Sequence, residues 1–238
     1  MFLCACAGRP ASAPRAPPST ATATTAIAAA AGEKTPGETA DVDPGPRWPL
    51  RLPATGRIVA VGDVHGDLDA LIGVLRRARL VDPAGHWAGG GATLVQVGDL
   101  LDRGNHELAV IDTLDRLAAE AEAAGGRVVV LLGNHEIMNT IGDFRYVAPG
   151  AWHAFDGLID ADQRPRAAAS NEAARAMATG PGGPVSRRLA RNPLVVVIGD
   201  SLFAHGGVLP AHLVYGLERL TTDVRRWMLG LSPMPAAI

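Results

Sequence analysis

Four short polar clusters, each placed directly after an apolar segment, constrain the fold of this chain more than any other feature. They are Gly-Asp-Val-His-Gly at residues 62–66, Gly-Asp-Leu-Leu-Asp-Arg-Gly at 98–104, Gly-Asn-His-Glu at 133–136 and His-Gly-Gly at 205–207. The preceding segments are rich in β-branched residues, which is typical of buried strands. Because parallel strands deliver their carboxyl ends to one edge of a sheet, we expect the clusters to meet there.

The segments between the clusters predict alternating strands and helices. The predicted elements are strands at 56–61, 92–97 and 127–132, helices at 67–80 and about 105–124, and a hairpin of 194–198 with 201–204. Asp67 is placed to cap the first helix. The alternation predicts an α/β layered fold with a mainly parallel first sheet, and residues 141–191 are predicted to form a helical cap over the site.

The N-terminal part differs in composition from the rest of the chain. Residues 1–54 read as a disordered, low-complexity leader and a possible signal remnant, because they lack the apolar periodicity needed to bury a face. Residues 55–238 are predicted to form the catalytic domain. Cys6 resembles the lipidated residue of a lipoprotein signal, and the alternative is a chance cysteine in a tail. The leader and Cys6 favour a periplasmic or lipid-anchored location over a cytoplasmic one.

Charge and cysteine content limit the ligands that this chain is expected to bind. The net charge of -2 gives no electrostatic reason to expect nucleic acid. No apolar run approaches the roughly 20 residues that cross a bilayer. The only two cysteines, Cys4 and Cys6, lie at the extreme N-terminus, so any metal in the domain must be held by His, Asp and Asn. The oligomeric state is not predicted.

The four clusters resemble the signature blocks of the calcineurin-like metallophosphoesterases, in their phosphoprotein-phosphatase branch. Residues 132–139 (Leu-Gly-Asn-His-Glu-Ile-Met-Asn) and 142–147 (Gly-Asp-Phe-Arg-Tyr-Val) resemble more narrowly the Shewanella-like protein phosphatases. The resemblance covers roughly residues 55–230. It implies a central β-sandwich flanked by helices.

The resemblance also implies a dinuclear metal site. Asp63 and His65 correspond to ligands of a first ion, Asp99 to a carboxylate that bridges both ions, and Asn134 and His205 to ligands of the second. Mixed carboxylate, imidazole and amide ligands suit Mn, Fe or Zn, of which Mn is favoured. An activated hydroxide would attack phosphorus in line with the ester oxygen.

Three further residues carry catalytic roles by the same resemblance. His135 corresponds to the general acid that protonates the leaving group, and Asp102 to the carboxylate that orients it. Arg103 would fork onto two phosphate oxygens, which a lysine cannot do. The predicted function is a metal-dependent phosphomonoester hydrolase acting on phosphorylated protein, with phosphotyrosine among the candidate substrates.

Other interpretations stay open. Asp102 and Arg103 have the alternative of a surface ion pair, and Arg145 that of an ion pair instead of a phosphate contact. Glu136 is interpreted as structural, in the first turn of a helix. Two other functions remain: a small-molecule, dinucleoside-polyphosphate or phosphodiester hydrolase on the same scaffold, and an inactive fragment that only binds phosphorylated partners.

The chain departs from the family after His205. Such phosphatases usually supply one more histidine and one more arginine from later strands, and no histidine follows His212. We therefore expect the C-terminal strands to be missing, the second metal to be under-ligated and the activity to be weak.

Overall fold

The computed structural model describes residue 43 and residues 45–237. In that part of the chain the strands are β1 (Arg51–Leu52), β2 (Ile58–Val61), β3 (Thr93–Gln96), β4 (Arg127–Val130), β5 (Val195–Ile198) and β6 (Ser201–Ala204). The α-helices are α1 (Leu68–Arg77), α2 (Glu107–Ala123), α3 (Asn134–Ile141), α4 (Arg164–Ala167), α5 (Asn171–Thr179), α6 (Pro184–Leu189), α7 (Pro210–Tyr215) and α8 (Leu217–Met228). Two 3-10 turns, Pro149–Ala151 and Asp156–Leu158, precede α4.

The first sheet is parallel throughout, with the strand order β2-β3-β4. Val61 lies opposite Gln96, which lies opposite Val130, so all three strands end at the same level. The buried side chain of Gln96 donates to the carbonyls of Gly62 (3.2 Å) and Gly98 (2.7 Å). The loops after β2 and β3 are therefore held side by side, as the sequence predicted.

The second sheet has the order β1-β5-β6. The predicted hairpin is confirmed, since β5 and β6 pair antiparallel with Ile198 opposite Ser201. The predicted domain boundary at Thr55 is contradicted, because β1 pairs parallel with β5 before that residue. Trp48 also donates from Nε1 to the carbonyl of Val128 (3.2 Å). The folded domain thus includes residues 45–54.

The two sheets pack face to face, which confirms the β-sandwich. The buried residues between them are Val95, Val129, Leu131, Val196 and Ile198. On the outer face of the first sheet, α2 buries Ile111, Leu114 and Leu117. Burying each of these side chains contributes about 1.5–3 kcal/mol.

The helices follow the predicted pattern. Asp67 caps α1, its Oδ1 accepting from the backbone N–H of Ala70 at 2.9 Å. The segment 141–191 contains the helices α4, α5 and α6, in line with the expected helical content, and loops join them. A side chain of α5 contacts the site residue Asp102. In the part of the chain that the structure describes, no helix has both the length and the apolar character needed to cross a bilayer. Residues 1–42, including Cys6 and its predicted role, lie outside the described residues.

Candidate active site

The loops that carry the predicted site residues adopt an unusual backbone. Among the described residues, five other than glycine have positive φ, and four belong to the polar clusters: His65 (47°), Asp99 (58°), Asp102 (68°) and Arg103 (61°). A left-handed conformation costs such a residue about 1 kcal/mol or more and persists where the surroundings impose it. The site loops are therefore held in strained conformations.

Two glycines let the second and third clusters touch. A Cβ on Gly133 would collide with the carboxylate and backbone nitrogen of Asp99. A Cβ on Gly98, whose φ is 100°, would collide with the backbone of Gly133. This close approach brings Asp99 to the start of α3.

Glu136 clamps the same two loops from inside the protein. Its carboxylate accepts backbone N–H bonds from Asp99 (2.9 Å), Leu100 (2.8 Å) and Gly133 (2.7 Å). Burial raises the pKa of the Glu136 carboxyl, and these N–H donors act in the opposite direction. Because these bonds hold backbone groups in place, they agree with the structural role predicted for Glu136, although the sequence did not predict the clamp itself.

Asp99 lies at the centre of the site and is only 2% exposed. Its Oδ2 lies 3.3 Å from Nε2 of His205, 3.7 Å from Nε2 of His65 and 3.8 Å from Nε2 of His135. Its Oδ1 accepts from the backbone N–H of His135 at 2.9 Å. One carboxylate thus faces imidazoles from three different polar clusters.

The remaining predicted ligands lie around this carboxylate. Oδ2 of Asp63 is 3.6 Å from Nε2 of His65, and Oδ1 is 3.9 Å from Nδ1 of His205. Oδ1 of Asn134 lies 3.0 Å from Nε2 of His205. The structure therefore brings all five predicted ligands together.

Geometry alone divides the ligand atoms somewhat differently from the resemblance. Two sets have ligand atoms within 4.8 Å of one another: His65 with Asp99 and His135, and Asp63 with Asp99 and His205. The resemblance pairs Asp63 with His65 instead. Both divisions share Asp99, so its central position does not depend on the choice.

Backbone carbonyls fix the tautomers of two histidines. Nδ1 of His65 donates to the carbonyl of Leu101 (2.9 Å), and Nδ1 of His205 donates to the carbonyl of Val97 (3.0 Å). In the neutral rings Nε2 is then an acceptor. Nε2 of His205 consequently faces the acceptor oxygens of Asn134 and Asp99. A bound cation would explain why these three acceptor atoms point at one another, and metal-binding histidines are commonly oriented by a carbonyl in this way.

His135 and Asp102 form a buried pair beside these ligands. Nδ1 of His135 lies 2.6 Å from Oδ2 of Asp102, and the two residues are 1% and 0% exposed. Arg103 donates from Nη2 to Nε2 of His135 (3.2 Å) and from Nη1 to Nε2 of His65 (2.8 Å). His135 therefore contacts both of the other predicted catalytic residues. Because Asp102 is fully buried, the surface ion-pair alternative for it does not hold.

Two residues after the third cluster complete the surroundings. The ring of Tyr146 lies 5.2 Å from that of His135 and 5.6 Å from Cζ of Arg103, with 43% of the residue exposed. Arg145 forms an ion pair with Asp143 at 2.7 Å, and this contact lowers the pKa of Asp143. For Arg145 the ion-pair interpretation is the one that agrees with the structure.

Sequence reasoning missed three buried residues that support the pair. Glu107, Asn139 and Arg175 are at most 1% exposed and hydrogen-bond Asp102 or each other. Glu107 carried a weak signal, as a charged residue five positions after Asp102. Arg175 carried none, because its contact with Asp102 spans 73 residues.

A family model and several known proteins match this chain in sequence. Residues 56–230 match the family model described as calcineurin-like phosphoesterase. The chain is 40% identical to Shewanella-like protein phosphatase 2 of Arabidopsis thaliana, over 74% of this chain and 52% of that protein. It is 35% identical to Shewanella-like protein phosphatase 1 of Plasmodium berghei (strain Anka), over 64% of this chain and 39% of that protein. The chain therefore spans about half, or less, of the length of these relatives.

A solved structure with a similar fold is the cold-active protein-tyrosine phosphatase of a psychrophilic Shewanella species. It has a TM-score of 0.63 and 29% sequence identity, and the match covers 76% of this chain and 51% of that chain. The similarity in fold extends over most of the part of the chain described above.

Proposed function

The chain belongs to the calcineurin-like phosphoesterase family, and we propose that it hydrolyses phosphate monoesters on proteins with two divalent metal ions. The observation that carries this proposal is the position of Asp99, which belongs to both sets of candidate ligands. A carboxylate in that position screens the charge of two neighbouring cations.

The residues that would hold the metals come from all four clusters. Asp63, His65 and Asp99 would hold the first ion, and Asp99, Asn134 and His205 the second. When bound, such a pair supplies Lewis-acid activation of water and of the phosphoryl group. The donor set suits Mn, Fe or Zn, and we favour Mn.

The side chains around the metal ligands would bind the substrate and move a proton. The guanidinium of Arg103 would donate to two phosphate oxygens, since both Nη atoms already point to the imidazoles of the site. Doubly protonated His135 would give the proton on Nε2 to the leaving oxygen once Arg103 has turned from Nε2 to the phosphate, while Nδ1 keeps its hydrogen bond to Asp102. No covalent intermediate with the protein is required.

We favour an aromatic phosphoester as the substrate, as in phosphotyrosine. Tyr146 exposes part of its ring next to Arg103 and His135, where the leaving group of a bound monoester would lie. Stacking of two aromatic rings contributes about 0.5–1.5 kcal/mol beyond the area that they bury. The similarity to a protein-tyrosine phosphatase supports the same choice.

With Mn²⁺ present, we expect a phosphotyrosine peptide to be hydrolysed faster than the matching phosphoserine peptide, and a phosphodiester slowest. Tyr146→Leu should reduce kcat/KM for phosphotyrosine by about 2- to 10-fold, the loss of one ring contact. The phosphoserine rate should change less. Steady-state assays on the three substrates measure this. A diester hydrolysed as fast as the peptides would instead support the phosphodiesterase alternative.

Arg103→Lys should lower kcat/KM for a phosphomonoester by about 10- to 100-fold, mainly through KM. Lysine keeps the charge but cannot donate to two phosphate oxygens from one plane, and a hydrogen bond to a charged group contributes about 1.5–3 kcal/mol. The control is Arg145→Lys, whose parent arginine pairs with Asp143. Equal kinetic effects of the two substitutions would refute the phosphate contact of Arg103.

A further inference from the structure

Arg175 lies in the middle of α5 and is 1% exposed, yet it contacts the support of the His135–Asp102 pair. Its Nη1 and Nη2 donate to the two carboxylate oxygens of Glu107, each at 2.8 Å. Nη2 also donates to Oδ1 of Asp102 at 3.3 Å. One buried cation thus joins two fully buried carboxylates.

Arg175 also fixes the orientation of a neighbouring amide. Its Nε donates to Oδ1 of Asn139 at 2.7 Å, so Nδ2 of that residue must face the other way. Nδ2 then donates to Oδ2 of Asp102 (3.0 Å) and to the carbonyl of His135 (2.9 Å). Asn139 therefore contacts the same carboxylate oxygen that accepts from His135.

Asp102 is restrained from every side by these contacts. Its Oδ1 accepts from Arg175, its Oδ2 accepts from Asn139 and His135, and its backbone N–H donates to Oε1 of Glu107. Of the four side chains that contact Asp102, two, Glu107 and Asn139, are themselves held by Arg175. Arg175 therefore restrains the carboxylate of Asp102 both directly and through two of its neighbours.

We propose that Arg175 is a positioning residue for the general acid: it holds Asp102 so that Nδ1 of His135 keeps its hydrogen bond to that carboxylate and Nε2 points into the site. The catalytic consequence rests on the proposed function, whereas the hydrogen bond between His135 and Asp102 can be measured without turnover. Through Arg175, α5 in the segment 141–191 contacts the catalytic pair.

If Arg175 only tied α5 to the domain, its replacement would lower the stability of the protein but leave the hydrogen bond between His135 and Asp102 unchanged. A positioning role and a purely structural role of Arg175 can be separated by how the rate depends on the leaving group. Protonation of the leaving group matters most when that group is a poor one. Loss of positioning should therefore reduce the rate more for alkyl or unactivated phenyl phosphates than for p-nitrophenyl phosphate, whereas partial unfolding would reduce all rates equally.

The first measurement is proton NMR of the full chain labelled with ¹⁵N-histidine. A strongly hydrogen-bonded Nδ1–H of His135 gives a downfield resonance, identified by its loss in His135→Asn. We expect this resonance to vanish or shift in Arg175→Met and to persist in Arg188→Met, whose parent pairs with Asp112 and Asp115 outside the site. An unchanged resonance in folded Arg175→Met would overturn the proposal.

A second variant covers the case in which Arg175→Met does not fold, since it leaves two buried carboxylates without their cation. The double variant Glu107→Gln/Arg175→Met removes one charge of each sign and keeps an acceptor for the N–H of Asp102. We expect it to lose the resonance, and to lower kcat by about 10- to 100-fold for a poor leaving group but only a few-fold for p-nitrophenyl phosphate. Equal losses on both substrates with the resonance intact would overturn the proposal. If the wild-type chain shows no turnover, the proposed function fails and the resonance alone decides the role of Arg175.

Discussion

Asp99→Asn is expected to lower kcat/KM for an aryl phosphate with Mn²⁺ by about 10³-fold or more, because several kcal/mol of metal-dependent stabilisation would be lost. The fold should survive, since an asparagine Oδ1 still accepts the N–H bond from His135. The variant should also bind less metal than the wild type, because the carboxylate common to both sets of ligands is gone. Steady-state kinetics and metal analysis of the purified chain measure both effects.

The matched control for that experiment is Asp67→Asn. Asp67 caps α1 outside the site, and asparagine caps helices about as well as aspartate. Its rate and metal content should equal those of the wild type. Equal and low rates in the wild type and in Asp99→Asn would contradict the expected loss of rate. They would agree with the weak activity expected from an under-ligated second metal, or with a chain that only binds phosphorylated partners.

His135→Asn is expected to reduce kcat by about 10²- to 10⁴-fold while KM changes only a few-fold. The acid acts on the leaving oxygen in the transition state, whereas binding of the phosphate depends on Arg103. The loss should be largest for esters whose leaving groups need a proton. Kinetics on phenyl and p-nitrophenyl phosphates, with metal content measured in parallel, test this expectation.

The control for His135→Asn is His153→Asn, because His153 is an exposed histidine that pairs with Asp156. It should leave kcat unchanged. Loss of bound metal from His135→Asn would contradict the assignment, since it would make His135 a ligand, as one of the two geometric sets allows.

The sequence was sufficient to predict the sheet edge and the residues that gather there. Each polar cluster is contiguous and follows its own strand, so a local pattern carries the placement of Asp63, Asp99 and Asn134. His205 follows the hairpin and reaches the same edge. For the first three clusters, the prediction required only the common direction of β2, β3 and β4. The position of His205 also depends on the packing of the second sheet, because β6 is antiparallel to β5.

Other features depend on contacts between distant parts of the chain, which no local pattern reveals. Residues 45–54 are rich in proline and look like a linker, yet β1 pairs with β5 more than a hundred residues later. Arg175 sits in a helix of mostly small residues and reaches Asp102 only in the folded chain. The alternation of apolar and polar residues cannot predict such contacts between distant parts of the chain.

The left-handed conformations of His65, Asp99, Asp102 and Arg103 set a limit on how this domain can be engineered. Glycine would adopt each of these backbone angles without steric cost, and so would remove the local backbone strain. A screen that rewards only heat tolerance or soluble yield would accept glycine at these positions. It would thereby discard the side chains that gather at the end of the sheet, so stabilised versions of this domain have to be selected with a functional readout.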